Sequence, residues 1–184
     1  MSNKKLEEAI VYVARCCIGE QLFGAIKLNK ILFFADAHSY VRYGATITGA
    51  DYEKREFGPV PVRMPEVIAD LTKASAVQIY ERTMPDTAVQ KRVTPLRDPD
   101  MTVFTARDVE VLSDVIRWIS PMTAREVSEL SHESVGWESA RMGDVIPRST
   151  ALVRRGAGAL SEAEFGHALS LARRVAQEGL SVAS

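Results

Sequence analysis

A mainly α fold (α+β), one helical domain carrying a small antiparallel β-hairpin element, is predicted by three observations. Apolar residues recur at helical spacing in well-separated segments of the chain. Helix start signals stand at Thr105, Thr123 and Ser161. One stretch, 76–94, alternates like two paired strands around a turn containing Pro85.

The first helix is expected from Lys4 to about Gly19, with Leu6, Ile10, Val13 and Cys17 on one stripe. A second covers Ile26 to Tyr43 and is apolar nearly all round in its first half, from Leu28 through Ala35, which places it in the middle of the core. Gly44 is its C-cap. Ala45 to Phe57 reads as extended or turn-rich, and Phe57-Gly58-Pro59-Val60-Pro61 then reads as a rigid strand-to-helix corner. Proline biases Gly58 towards an extended conformation, and the absent side chain permits a sharp redirection. Pro61 and Pro65 are assigned to the first turn of the helix that follows, which ends near Ser75.

The two strands of the hairpin are placed at 76–82 and 88–94, and Pro95 to Asp100 is a loop. Thr105-x-x-Asp108, Thr123-x-x-Glu126 and Ser161-x-x-Glu164 resemble capping boxes. The helix after Thr105 turns Val109, Leu112, Ile116 and Ile119 inward, and a shorter one after Thr123 carries Val127 and Leu130. The domain is expected to span 1–148. Residues 149–184 are read as a linker followed by a helix near 162–177 that packs on the domain or extends it.

Bulk composition narrows the function. Twenty-three Lys plus Arg stand against 24 Asp plus Glu, so a net charge of -1 gives no general attraction to nucleic acid or anionic membrane. No apolar run approaches the roughly 20 residues that cross a bilayer, and the polar start has no secretory pattern. The adjacent Cys16 and Cys17 are poorly placed to bridge one another. Two reduced thiols and a cytoplasmic location are expected.

Catalytic patterns are missing from the sequence. His38 reads as a core or core-edge residue, about 200° around the helix from Asp36, and neither His132 nor His167 has partners at zinc-site spacing. No Gly-x-Ser-x-Gly elbow occurs, and Gly156-x-Gly158 lacks both a preceding strand and a third glycine. Glu7, Glu8, Glu53 and Glu56 are assigned to solvent. The expectation is a protein without cofactor or metal that is not an enzyme. A winged-helix-like DNA-binding regulator is the rival, with Lys91-Arg92 on the hairpin as phosphate contacts. No helix clusters basic residues on one face, so nucleic acid is disfavoured.

Three motifs occur in order. Lys27-Leu28-Asn29-Lys30 opens a helix that runs through Phe34 to Asp36. Phe57-Gly58-Pro59-Val60 makes the corner, and Ser131-His132-Glu133 with Trp137 comes late. This series, over residues 4 to about 148, resembles the SocA-like antitoxin, or Panacea, domain family. Phe57 stands where the family usually has Tyr, and Lys54-Arg55 where many members carry a small residue and Trp. The resemblance implies a non-enzymatic antitoxin that neutralises a cognate toxin, usually encoded beside it, by direct protein–protein binding. An adaptor handing the toxin to a protease is the alternative route. Lys27, Leu28, Lys30, Phe34, Phe57, Gly58, Pro59, Val60, His132, Glu133 and Trp137 are the motif residues, structural or partner-facing. Tyr80 and Met84 on the hairpin are the candidate toxin contacts.

Overall fold

The computed structural model describes residues 3–84 and 89–153. Helix α1 (Lys4–Cys16) starts where the Asn3 side chain accepts from the Leu6 amide, and it buries Leu6, Ile10, Val13 and Ala14. It stops before the expected Gly19, with Cys17 as its C-cap. Helix α2 (Ala25–Tyr43) ends as anticipated at Gly44, whose φ of 76° only glycine adopts without strain. It is the central element, packed against α1, α4 (Ala106–Ile119) and α5 (Ala124–His132). Its buried side includes Leu28, Ile31, Leu32 and Ala35, and also Lys27, Lys30 and Asp36. Phe23, Leu6, Ile10, Leu112 and Ile119 complete the tightest part of the core. Each such side chain contributes roughly 1.5–3 kcal/mol of burial.

The Gly58 corner differs from expectation. Strand β1 (Tyr52–Arg55) pairs antiparallel with β2 (Gly58–Pro61), Arg55 facing Gly58 and Tyr52 facing Pro61. It is a tight hairpin with Glu56 and Phe57 at its tip, not a strand-to-helix junction. Gly58 has φ 98°, far from extended, because it closes that turn. Pro61 lies in β2, and only Pro65 occupies the first turn of α3 (Met64–Lys73). A third strand, β5 (Val145–Ile146), adds to the other edge of β1 and gives the order β2-β1-β5. No local pattern announced β5, which contributes two residues.

The second hairpin lies where the alternation placed it, with β3 (Val77–Thr83) antiparallel to β4 (Val89–Pro95). Helices α4 and α5 both begin with complete capping boxes, Thr105 with Asp108 and Thr123 with Glu126. A short α6 (Val135–Ser139) follows, capped by Ser134. The expected capping box at Ser161, His167 and the helix at 162–177 lie outside the described residues.

Two further expectations fail on burial. His38 is exposed rather than part of the core, and its neighbour two positions back, Asp36, is the buried member of the pair. Glu8 is fully buried rather than solvated. Arg97 donates to both of its carboxylate oxygens, Lys4 to one and the Asp100 amide to one. This shell offsets desolvation and holds the carboxyl down at about 2.

Candidate functional site

The three motifs converge on the turn of the first hairpin. Lys30 reaches inward from α2 and its Nζ donates to the Pro59 carbonyl at 3.1 Å. Gly58 lies against it so closely that a Cβ there would overlap both the Lys30 Cε and the Ser131 Oγ. Ser131 donates to the Ser128 carbonyl at 2.7 Å inside α5. Burial pushes the Lys30 amine down to about 7.

His132 and Trp137 close the other side. Their rings stack at 3.8 Å with 12° between planes. The indole N–H donates to the Arg55 carbonyl at 3.3 Å, which satisfies the polar end of a half-buried Trp. Lys54 Nζ sits 3.9 Å from the centre of the Trp137 ring and donates to the Ala140 carbonyl. Burial lowers the His132 pKa, and the nearby Lys30 and Lys54 charges lower it further. Trp137 thus ties α6 to the strand pair. Glu133, in the same motif, is exposed and belongs to the helix end.

Asp36, six residues beyond Lys30 on α2, organises the approach to β1. It accepts from the Ile47 and Thr48 amides at 2.8 Å, from the Thr48 hydroxyl, and from the Tyr52 hydroxyl at 2.9 Å. Burial pushes its carboxyl above the usual range, against these four donors. A cavity of about 230 Å³ opens nearby, lined by Phe33, Phe34, Tyr40, Tyr52 and Arg148. Phe34 meets Trp118 edge-on at 5.2 Å. Arg148 is committed to the Gly49 carbonyl and Asp51.

A larger groove, about 640 Å³, lies at the start of α2. Its apolar lining comes from Leu22, Ile26, Phe57, Met84 and Val89. Lys27 borders it but is fully buried, donating to the Ser120 carbonyl at 2.7 Å with Glu20 at 4.0 Å. Phe57 is 56% exposed at the hairpin tip. Met84 and Phe57, singled out for different reasons in the sequence, therefore share one surface. Tyr80 does not join them; it is exposed on β3 and donates to Gln78. Leu28 is sealed in the core and Val60 is half-buried.

The motif cluster braces the turn from within. Lys30 and Ser131 are buried within it, 1% and 0% exposed. Among the described residues no three His, Cys, Asp or Glu side chains gather to hold a metal ion, and no helix is long and apolar enough to cross a membrane. Both cysteines are free, Cys16 exposed and Cys17 buried. On the second hairpin Arg92 donates to the Glu20 and Ile18 carbonyls, which removes half of the basic pair offered as a phosphate contact. Sequence reasoning missed the groove residues Leu22, Ile26 and Val89. The one available signal was an aromatic residue, Phe57, beside a turn glycine.

Comparison with known proteins gives one informative result. Searches of curated proteins and of solved structures return no match. The family model for the antitoxin SocA-like Panacea domain matches residues 28–138. That span covers most of α2 through α6 and includes every element of the Lys30 cluster. It is narrower than the 4–148 expected from the motifs, and α1 lies outside it. With more than half of its length matched and the motifs gathered at one hairpin turn, this chain belongs to the SocA-like, Panacea-domain antitoxin family.

Proposed function

We propose that this protein is a cytoplasmic antitoxin that neutralises a cognate toxin by stable, stoichiometric binding, without turnover. Family membership over residues 28–138 carries the reading. The geometry agrees with it: the motif side chains are spent on holding a hairpin turn, and the exposed apolar side chains lie beside that turn. A stable complex buries roughly 1,200–2,000 Å² around a few anchors.

The test is expression of the adjacent reading frame alone and together with this protein. Growth arrest relieved by co-expression, with a one-to-one complex on co-purification, is the expected result. Relief without a persistent complex, accompanied by falling toxin levels, would instead favour delivery of the toxin to a protease. A harmless neighbour, no complex, and salt-sensitive binding of the protein to its own promoter would favour DNA binding.

A further inference from the structure

Resting on the antitoxin reading, we propose that the groove between the α2 N-terminus, the β1–β2 turn and the β3–β4 hairpin receives the toxin. The toxin presents to it an apolar segment carrying acidic residues.

Shape and exposure carry the first half. Leu22, Phe57 and Val89 are 38%, 56% and 59% exposed and come from three separate parts of the chain, yet they line one depression. Single exposed apolar residues are ordinary; a convergent set rimmed by polar groups marks an interaction surface. The backbone that carries Phe57 is also held in place. The turn beneath it is fixed by Gly58 against Lys30 and Ser131, and by the Trp137 indole on the Arg55 carbonyl. A braced turn loses little backbone freedom on binding, which suits an anchor at its tip.

Charge carries the second half. Lys91 and Arg125 stand at the rim, Lys27 lies beneath, and among the described residues no carboxylate lines the groove. Helix α2 starts there at Gly24, which has no side chain to cap it, and no acidic residue occupies its first turn. The positive end of a 19-residue helix therefore faces the groove uncompensated by its own sequence. Lys91 pairs with Glu81 and Arg125 with Glu129, but both pairs are solvent-exposed and exchange readily for a partner's carboxylate. A basic segment would meet repulsion. A second copy in a two-fold contact would set the same cations against each other.

The experiment measures affinity between the full-length protein and the product of the adjacent reading frame. Phe57→Asp is expected to weaken binding roughly 30-fold or more, with an unchanged melting temperature because the side chain is exposed. Arg125→Glu is expected to weaken it roughly 5-fold and to flatten its salt dependence. Tyr80→Asp, on the hairpin but outside the groove, should stay within about 2-fold. Adding the toxin should slow amide exchange at 22–26, 89–91 and 123–125. Unchanged affinity in Phe57→Asp and Arg125→Glu, or a loss confined to Tyr80→Asp, overturns the groove while leaving the antitoxin reading intact. A wild-type dimer dispersed by Phe57→Asp would show a second copy of the chain as the occupant and overturn it too. No complex with the wild-type protein removes the antitoxin reading, and the groove assignment with it.

Discussion

Asp36 and Lys30 sit on the same helix, both buried and of opposite charge, and their surroundings treat them differently. Asp36 is met by four donors from the Ile47–Tyr52 segment. Lys30 donates one hydrogen bond, to the Pro59 carbonyl, and among the described residues no carboxylate pairs with it. The anion fixes the path of the chain into β1. The cation is held by lack of room, with Gly58 pressed against its stem. Both charges carry a desolvation cost, since burial raises the Asp36 pKa as it lowers that of Lys30, but only the one with a full complement of partners also specifies the path of the chain.

That contrast fails if Asp36 proves dispensable. Asp36→Ala leaves two amides and two hydroxyls without their acceptor and is expected to cost roughly 3–5 kcal/mol. Chemical denaturation measures it, and a loss under about 1 kcal/mol would place the two residues on equal footing. Gly58→Ala tests the packing on the Lys30 side. The positive φ and the overlap with Lys30 and Ser131 together predict a loss of roughly 2–4 kcal/mol in the same assay.

Glu8 extends the comparison to a third buried charge. Its carboxyl titrates at about 2 when folded against 4.5 ordinarily, so the unfolded chain binds the proton more readily. Its contribution is complete above about 4.5 and is lost as the pH falls through about 2. Glu8→Gln should cost about 2–3 kcal/mol at pH 7 and much less at pH 2.5, by denaturation at both pH values.

The smallest effect, and the one of opposite sign, belongs to Lys30. With a folded pKa of about 7 against 10.5, the folded state disfavours the proton. The penalty is complete below about 7 and relieved as the pH rises towards 10.5, so wild-type stability should climb across that interval. Lys30→Met should gain roughly 1–2 kcal/mol at pH 6 and lose that climb. A variant destabilised at every pH would show the Pro59 hydrogen bond to outweigh desolvation.

Features with local causes were legible in the sequence. The capping boxes at Thr105 and Thr123, the stop at Gly44 and the alternation of β3 and β4 each depend on residues within a few positions of one another. What depends on distant partners was not. Pro59 and Val60 form a strand because β1 pairs with them, and β1 is supported in turn by Val145 and Ile146. Glu8, Lys27, Lys30 and Asp36 were invisible as buried charges, since periodicity assigns every charged residue to solvent. The motif residues came from the family resemblance, but the meeting of Lys30, Gly58 and Trp137 at one turn required the fold. The groove was hidden for the same reason, its lining being drawn from residues 22 to 125.

The brace beneath Phe57 has a consequence for synthesis. Lys30, Gly58, Ser131 and Trp137 come from widely separated parts of the chain, and contacts of such separation close late. A nascent chain on the ribosome that has delivered both hairpins but not α5 and α6 lacks the wall holding that turn. It also lacks Thr123, Ala124 and Arg125 at the groove's edge. The braced turn therefore forms in one step, once α5 and α6 have been made, rather than growing with length; on the antitoxin proposal, a chain interrupted before them gives no partial inhibitor.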